Sequence, residues 1–342
     1  MKICFSNLAS GYSGGENQTF LLAKELFNRG IELVAVSNPN SLLTDKFSNL
    51  GIPVIEATNP FSGHFQSYLK GVSLVHAHDG RAVHWAALHH WLGTPYLITR
   101  RIDNPIKARF LTKLNYSRAG ALVGISSKIC QVLEEFTGSS TVHLIPSSPV
   151  QYPFDDATIR RKRSLYKNKF IVIQAASLLE HKGFDISIKA AKILSNQGIC
   201  FLFLGEGPFE KELRNLAEDV PNVVFLGKQK DMGNWFQIAD CLILPSRNEG
   251  LGSVLLEAME AGTPVIGTSV GGIPDIIKDQ TTGLLIPPSS PEALANAILR
   301  LKTEPQLRND LSYHASEFVR TLSIDKMAEK YIQLYQEILK RK

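Results

Sequence analysis

The chain has 342 residues, 44% hydrophobic and 20% charged, with a formal net charge of +5 and a pI near 8.9. That length supports two domains, each with its own core, and that composition excludes disorder. The mild positive charge leaves nucleic acid, membrane surfaces and anionic small molecules open. No apolar run reaches transmembrane length.

The opening residues, Met1 to Leu8, are too short and too soon interrupted for a signal peptide. The four cysteines, Cys4, Cys130, Cys200 and Cys241, are scattered and lie mostly in apolar runs. They read as buried free thiols in a reducing cytoplasm, without zinc spacing.

Taken in order, residues 1–8 predict a strand and 11–17 a glycine-rich turn containing Gly14 and Gly15. A helix over 19–28 stops at Gly30, and 31–37 is the next strand, a β-α-β start. The dinucleotide pattern Gly-x-Gly-x-x-Gly is not supplied here. A strand over 72–77 carries His76 and leads to His78. Strand alternation turns the two imidazoles to one side, at a strand exit of the kind where parallel sheets bind ligands, which makes His78 a candidate site residue. A helix over 81–92 carries His84, His89 and His90, which read as structural or surface groups.

Beyond a strand over 96–100 the chain turns basic, with Arg100, Arg101, Lys107, Arg109, Lys113 and Arg118 against the single acid Asp103. Ile106, Phe110, Leu111 and Leu114 recur at helical spacing, so 105–116 predicts an amphipathic helix with a basic rim. Two readings fit: a core-packed helix with solvated cations, or contact with an anionic acceptor or membrane surface. A strand over 121–125, a helix over 126–136 and a strand over 142–146 close the first domain. Polar, proline-bearing residues 147–157 and the basic run 160–163 mark the boundary, giving domains over 1–152 and 153–323.

The second domain begins a new parallel series at 170–175, followed by Ser177 and Lys182-Gly183. A helix over 185–195, a strand over 200–204, a helix over 210–218 and a strand over 223–226 reach Gly227. A helix over 231–238 then leads to the stretch on which the reading turns. Two short apolar runs, 241–245 and 264–267, read as buried parallel strands. Between them lie Glu249, Gly250, Leu251, Gly252, Ser253 and Glu257, a loop opening into a helix. Ser253 is expected to cap that helix. Gly250 and Gly252 have no side chain to keep a ligand from the first helical amides, which makes a socket for an anion. Glu249 and Glu257 flank it at different depths, and a carboxylate accepts hydrogen bonds from a sugar diol. A diphosphate between two sugars fits this pattern. Either glutamate alone is as well explained by a solvated helix face. A glycine loop at 270–274, a strand over 282–286 and helices over 291–301, 306–321 and 324–339 complete the chain.

These residues resemble the retaining family-4 glycosyltransferases of GT-B architecture. The resemblance is dense over 170–290 and weak over the first half. It implies an α/β fold of two Rossmann-like, doubly wound parallel-sheet domains facing a central cleft, with the C-terminal segment 324–342 completing the first. By position, Glu249 would contact the transferred sugar and Glu257 the nucleotide ribose. Lys182 and the amides of Gly250, Leu251, Gly252 and Ser253 would grip the diphosphate, and Gly227 would lie beside the base. Gly14 and Gly15 match the Gly-Gly-x-Glu loop that approaches donor phosphate and acceptor, and His78 falls near the reacting sugar. Two departures stand out. Ser177 occupies the place of a usual arginine, and Ser147-Ser148-Pro149 replaces the usual Ile-Pro-Asn-Gly continuation.

The implied activity is transfer of a hexose or heptose, with retention, from a UDP-, GDP- or ADP-sugar to a glycan or glycolipid acceptor in lipopolysaccharide or other envelope synthesis. No cofactor and no metal is called for, since no Asp-x-Asp pair sits in a suitable loop. The expected location is the cytoplasm, with residues 100–118 able to meet the inner membrane surface. The competing readings are a catalytically weak nucleotide-sugar-binding subunit of an assembly complex and a GT-B epimerase. Nucleic acid is not an expected partner, because the basic patch is local and lacks an aromatic stacking series.

Overall fold

The computed structural model describes residues 1–138 and 141–341, so Lys342 of the expected 324–342 segment lies outside the described residues. The chain divides into two compact units, Met1–Ser148 with Leu322–Lys342, and Pro149–Thr321.

The first unit is built on β1 (Lys2–Asn7), β2 (Glu32–Ser37), β3 (Val54–Glu56), β4 (Leu74–Ala77), β5 (Tyr96–Arg100), β6 (Ala121–Gly124) and β7 (Val142–Leu144), in the order β3-β2-β1-β4-β5-β6-β7. Every pairing is parallel. The strands at its centre are buried except at the charged ends Lys2 and Arg100, as apolar runs covered by helices on both faces require. Its helices are α1 (Gly14–Asn28), α2 (Leu42–Asn49), α3 (Gly80–His90), α4 (Phe110–Ser117) and α5 (Ser127–Thr137).

α2 has no counterpart in the sequence expectation, and two others differ from it. α1 starts at Gly14, five residues early, because Ser13 and Glu16 form a reciprocal cap: the Ser13 amide and hydroxyl both donate to Glu16 Oε2, at 2.9 and 2.6 Å. The glycines predicted to form a turn are therefore the first turn of the helix. α4 starts at Phe110 rather than at 105, from an extended Arg109. Arg100 donates to the Asn104 carbonyl, the group that a helix opening at Pro105 would use as its first acceptor.

The second unit contains α6 (Asp156–Leu165), β8 (Phe170–Ala175), α7 (Phe184–Ile193), β9 (Ile199–Leu204), α8 (Glu210–Leu216), β10 (Val223–Gly227), α9 (Met232–Ile238), β11 (Cys241–Leu244), α10 (Ser253–Glu260), β12 (Val265–Thr268), α11 (Ile273–Ile276), β13 (Leu284–Ile286), α12 (Pro291–Thr303) and α13 (Pro305–Arg320). Its parallel sheet runs β10-β9-β8-β11-β12-β13. The basic run 160–163, which the sequence marks as part of the domain boundary, is helical in α6. Asp155 caps it by accepting from Thr158 N at 2.7 Å, and Lys162 and Arg163 in its last turn suit the negative end of its dipole.

The last helix, α14 (Ile324–Lys340), returns to the first unit, where Met327, Tyr331, Leu334 and Tyr335 join the core with Phe5, Leu22 and Leu97. Two Rossmann-like parallel-sheet domains are thus present, as the GT-B resemblance implies. No helix among the described residues is long and apolar enough to cross a membrane.

In each sheet the chain begins at an inner strand, builds outward to one edge, then returns to build the other. The reversal falls between β1 and β4 in the first unit and between β8 and β11 in the second. At such a point the loops leaving two neighbouring strands diverge, and a crevice opens at their carboxyl ends.

Candidate functional site

In the second unit the loops leaving β8 and β11 meet at this reversal point. The β8 loop ends in a 3-10 turn, Glu180–Lys182, and passes through Gly183 with φ of 70°. A Cβ on Gly183 would lie 2.0 Å from the Pro245 carbonyl oxygen, so only glycine lets the two loops pack this closely. Buried Gln174 donates to the Lys182 carbonyl at 2.8 Å and accepts from Ser187 Oγ at 2.6 Å, which fixes the Lys182 backbone. From the β11 loop, the Glu249 carbonyl accepts from Gly272 N at 3.0 Å. Lys182 Nζ then lies 2.7 Å from Glu249 Oε2, and Ser246 Oγ donates to the same oxygen at 3.3 Å.

α10 follows directly, but its cap differs from expectation. Gly252 is the cap residue, in the left-handed region at φ 86°, and Ser253 is the first helical residue with no capping role. A β-carbon disfavours that conformation, which is why the boundary falls on the glycine. Leu251 is buried, so only its backbone is on offer to a ligand. The loop therefore presents Lys182, Glu249 and the first amides of α10 together, a cation and oriented N–H groups suited to a diphosphate and a carboxylate suited to sugar hydroxyls.

The other predicted residues distribute around this centre. Ser177 is exposed on the β8 loop, its carbonyl accepting from Leu179 N at 2.8 Å. Arg247 does not stand in for the missing arginine: its guanidinium makes two bonds to Asp185, 2.8 and 2.7 Å long, and a third to the Glu180 carbonyl. Gly227 ends β10 at a shift in register with β9, and its carbonyl accepts from Gly205 N at 2.9 Å. Glu257 opens on a cavity of about 240 Å³ walled by Gln151, Tyr152, Phe154, Phe236 and Glu260. Burial pushes its carboxyl up to about 7, against the opposing pull of a hydrogen bond from Tyr152. Tyr152 was not singled out from the sequence; its place just before the second domain's first helix is all that marked it.

In the first unit, Gly14 and Gly15 lie at the β1 exit and His78 at the β4 exit, on either side of the reversal point. The Asp79 carboxylate ties them, accepting from Leu8 N at 2.5 Å and from Arg81 N and Ala82 N at the start of α3. The two histidines separate clearly. His76 is fully buried and bonded on both ring nitrogens, to Tyr335 Oη and Thr99 Oγ1, each at 2.7 Å. His78 is 4% exposed, stacks on Phe5, and neither ring nitrogen has a partner among the described residues. Burial, then His76 and Arg101, hold His78 well below the usual imidazole range, so it is neutral near pH 7. His84 pairs with Asn115, His89 stacks on Trp85 and His90 bonds to the Thr94 carbonyl, which accounts for all three as structural.

Residues 155–318 match the model of the glycosyl transferases group 1 family. The match falls within the second unit and spans just under half of the chain. An uncharacterised glycosyltransferase of Methanocaldococcus jannaschii is 26% identical over 281 residues, covering 79% of this chain and 76% of that protein. The N-acetyl-alpha-D-glucosaminyl L-malate synthase of Bacillus anthracis is 28% identical over 205 residues, covering 58% of this chain and 54% of its own length. Among solved structures, Anabaena HepE in complex with UDP-glucose superposes with a TM-score of 0.86 at 20% identity, covering 98% of this chain and 100% of that one. A glycosyltransferase from Rickettsia africae gives a TM-score of 0.86 at 21% identity over 100% and 99%. At these identities the structural likeness speaks for the fold.

Proposed function

We propose that the protein is a retaining glycosyltransferase that moves a hexose or heptose from a nucleoside diphosphate sugar to an acceptor hydroxyl during lipopolysaccharide or other envelope-glycan synthesis. The observation that carries this reading is the Lys182–Glu249 pair at the reversal point of the second unit, in the loop that opens into α10. On donor binding, Lys182 exchanges the carboxylate for a diphosphate oxygen, and the first α10 amides share the charge. Glu249, released, accepts hydrogen bonds from the sugar and fixes its orientation.

Transfer then proceeds on one face of the sugar. The acceptor oxygen forms its bond to the anomeric carbon as the bond to the diphosphate breaks, and the acceptor proton passes to the departing phosphate oxygen. The reading asks for no metal, on the lack of an Asp-x-Asp loop in the sequence. UDP-sugars come first among donors, because Anabaena HepE, of the same fold, binds UDP-glucose.

The acceptor falls to the first unit, and an anionic membrane surface suits its α4 region. Phe110 is 80% exposed and Leu111 64%, and Tyr116 is the buried residue of that helix. A core-packed helix would bury them; an interfacial one presents them beside Lys107, Arg109, Lys113 and Arg118. Ser177 and the engaged Arg247 favour one alternative, a nucleotide-sugar-binding subunit with weak turnover. Release of nucleoside diphosphate from a panel of sugar nucleotides, with and without membrane extract as acceptor, separates the two: turnover supports the enzyme, and binding without turnover supports the subunit.

A further inference from the structure

The loops leaving β8 and β11 are joined by two ion pairs, and the transfer reading uses only the first, Lys182 with Glu249. The second belongs to Arg247, two residues before Glu249 in the β11 loop, which reaches back to the segment that carries Lys182. Its Nη1 and Nη2 grip the two carboxylate oxygens of Asp185 at 2.8 and 2.7 Å, and Nη1 also donates to the Glu180 carbonyl at 2.9 Å. Its backbone amide donates to the His181 carbonyl at 2.7 Å. Glu180, His181 and Asp185 bracket Lys182 in the chain, and one residue of the opposite loop holds all three. Lys189, the other cation near Asp185, stands largely in solvent and comes only to 4.0 Å. Burial by itself would raise the Asp185 carboxyl; the Arg247 fork outweighs it and holds Asp185 below the usual carboxylate range, so the pair is charged near pH 7.

Donor binding separates the two joints. Lys182 then exchanges Glu249 for a diphosphate oxygen, so the first joint opens at the moment when cation and carboxylate must keep their spacing. The second involves neither group and stays closed. We propose that Arg247 is a positioning residue: with Asp185 it braces the β8 loop against the β11 loop, so that Lys182 and Glu249 stay in register after the donor has parted them. This rests on the transferase reading for the opening of the first joint, and on bonds within the chain for the brace. A planar fork on a carboxylate fixes direction as well as distance, which a single ammonium contact does not. The brace touches no ligand, so its contribution falls on the geometry of the reacting state and not on the affinity for the donor. Arg247 is thereby committed to the loops, and its side chain leaves the cation missing at Ser177 unreplaced.

The test compares Arg247→Gln, Asp185→Asn and the double variant with the wild-type full chain in two assays. The first follows reductive methylation of the Lys182 amine by mass spectrometry. Loosening the brace leaves Lys182 apart from Glu249 for more of the time, so each single variant is expected to label Lys182 about 3-fold or more faster, while Lys211 and Lys278 keep their rates. The double variant labels no faster than the faster single one, because both changes remove the same bond. The second assay uses UDP and UDP-glucose as probes. Arg247→Gln is expected to bind UDP within about 3-fold of wild type and to lose about 10-fold in kcat for UDP release. Four results overturn the brace: an unchanged Lys182 rate, a rise shared by Lys211 and Lys278, an unchanged kcat in an active chain, or a loss of UDP affinity as large as that of Lys182→Ala. The first shows that the pair holds itself, the second and third a merely structural role, and the fourth a ligand contact. A wild-type chain that neither binds UDP nor releases it from UDP-glucose counts against the transferase reading, and the labelling then decides the brace. If Arg247→Gln does not fold, Arg247→Lys, which keeps the charge without the fork, decides by the same labelling.

Discussion

Lys182 and Glu249 are 67 residues apart in sequence and 2.7 Å apart in space, each mostly buried, on loops that leave the adjacent strands β8 and β11. Their meeting follows from sheet order. β8 opens the second sheet at its centre, the chain builds β9 and β10 outward on one side, and β11 must then return to pair with β8. Whatever sequence occupies the two exit loops is brought together there, and in this chain that is one cation and one carboxylate.

Glu249→Gln keeps the size of the side chain and an acceptor for Ser246 but removes the charge that holds Lys182. The expected outcome is a loss of about 100-fold or more in kcat, with folding stability lowered by about 1 to 3 kcal/mol because Lys182 loses its charged partner in a mostly buried place. Nucleotide release and urea denaturation measure the two effects. Full activity in the variant would remove Glu249 from the reaction.

Glu257 gives a pH signature. Its carboxyl titrates near 7 in the folded chain against an ordinary value of 4.5, raised by burial. Between those values the folded state holds a proton that the unfolded state has released. Stability therefore falls as pH rises through this window and is flat above it. Glu257→Gln is expected to lose that slope, and its melting temperature measured from pH 4.5 to 8 against wild type checks it. Nucleotide affinity is expected to strengthen as pH rises through 7, since the ionised carboxylate accepts from both ribose hydroxyls.

Gly183→Ala forces a β-carbon against the Pro245 carbonyl at a residue with φ of 70°. A destabilisation of about 2 to 4 kcal/mol is expected, together with weakened donor binding as the β8 and β11 loops part. Denaturant midpoints and nucleotide titration read the two consequences.

His76 and His78 are expected to behave oppositely. His76→Ala strands Tyr335 and Thr99 in the core and is predicted to destabilise by about 2 to 4 kcal/mol. His78→Gln leaves no hydrogen-bonded partner behind, and its larger effect is expected on kcat. The pair of measurements fails the account if His78→Gln unfolds the chain while His76→Ala is tolerated.

Phe110→Ser with Leu111→Ser is expected to reduce sedimentation with vesicles containing anionic lipid, and to leave the melting temperature unchanged, because both side chains stand in solvent. Equal vesicle binding by the double variant would end the membrane reading.

Strands such as β4, β8 and β11 were legible because parallel strands covered on both faces must be apolar runs, and the runs are in the sequence. The start of α1 was legible in principle, since Ser13 and Glu16 carry the spacing of a capping box, but the glycines between them suggested a turn. α2 and β3 occupy a stretch, 38–71, with no strong period to mark them. The glutamates stood out by local spacing and Lys182 by the family resemblance, whereas their pairing, the commitment of Arg247 to Asp185 and the orphaned guanidinium of Arg101 depend on which strand exits become neighbours. Arg101 had one visible signal, its place at the carboxyl end of a predicted strand, and its basic surroundings obscured it.

The most direct test of the central claim is calorimetric titration of the chain with UDP-, GDP- and ADP-glucose, repeated on Lys182→Ala. The account predicts that one nucleotide sugar binds selectively, and that Lys182→Ala weakens it by about 10-fold or more, the scale of a lost charge-assisted bond to phosphate. Binding of none of them, or equal binding by wild type and variant, would contradict it.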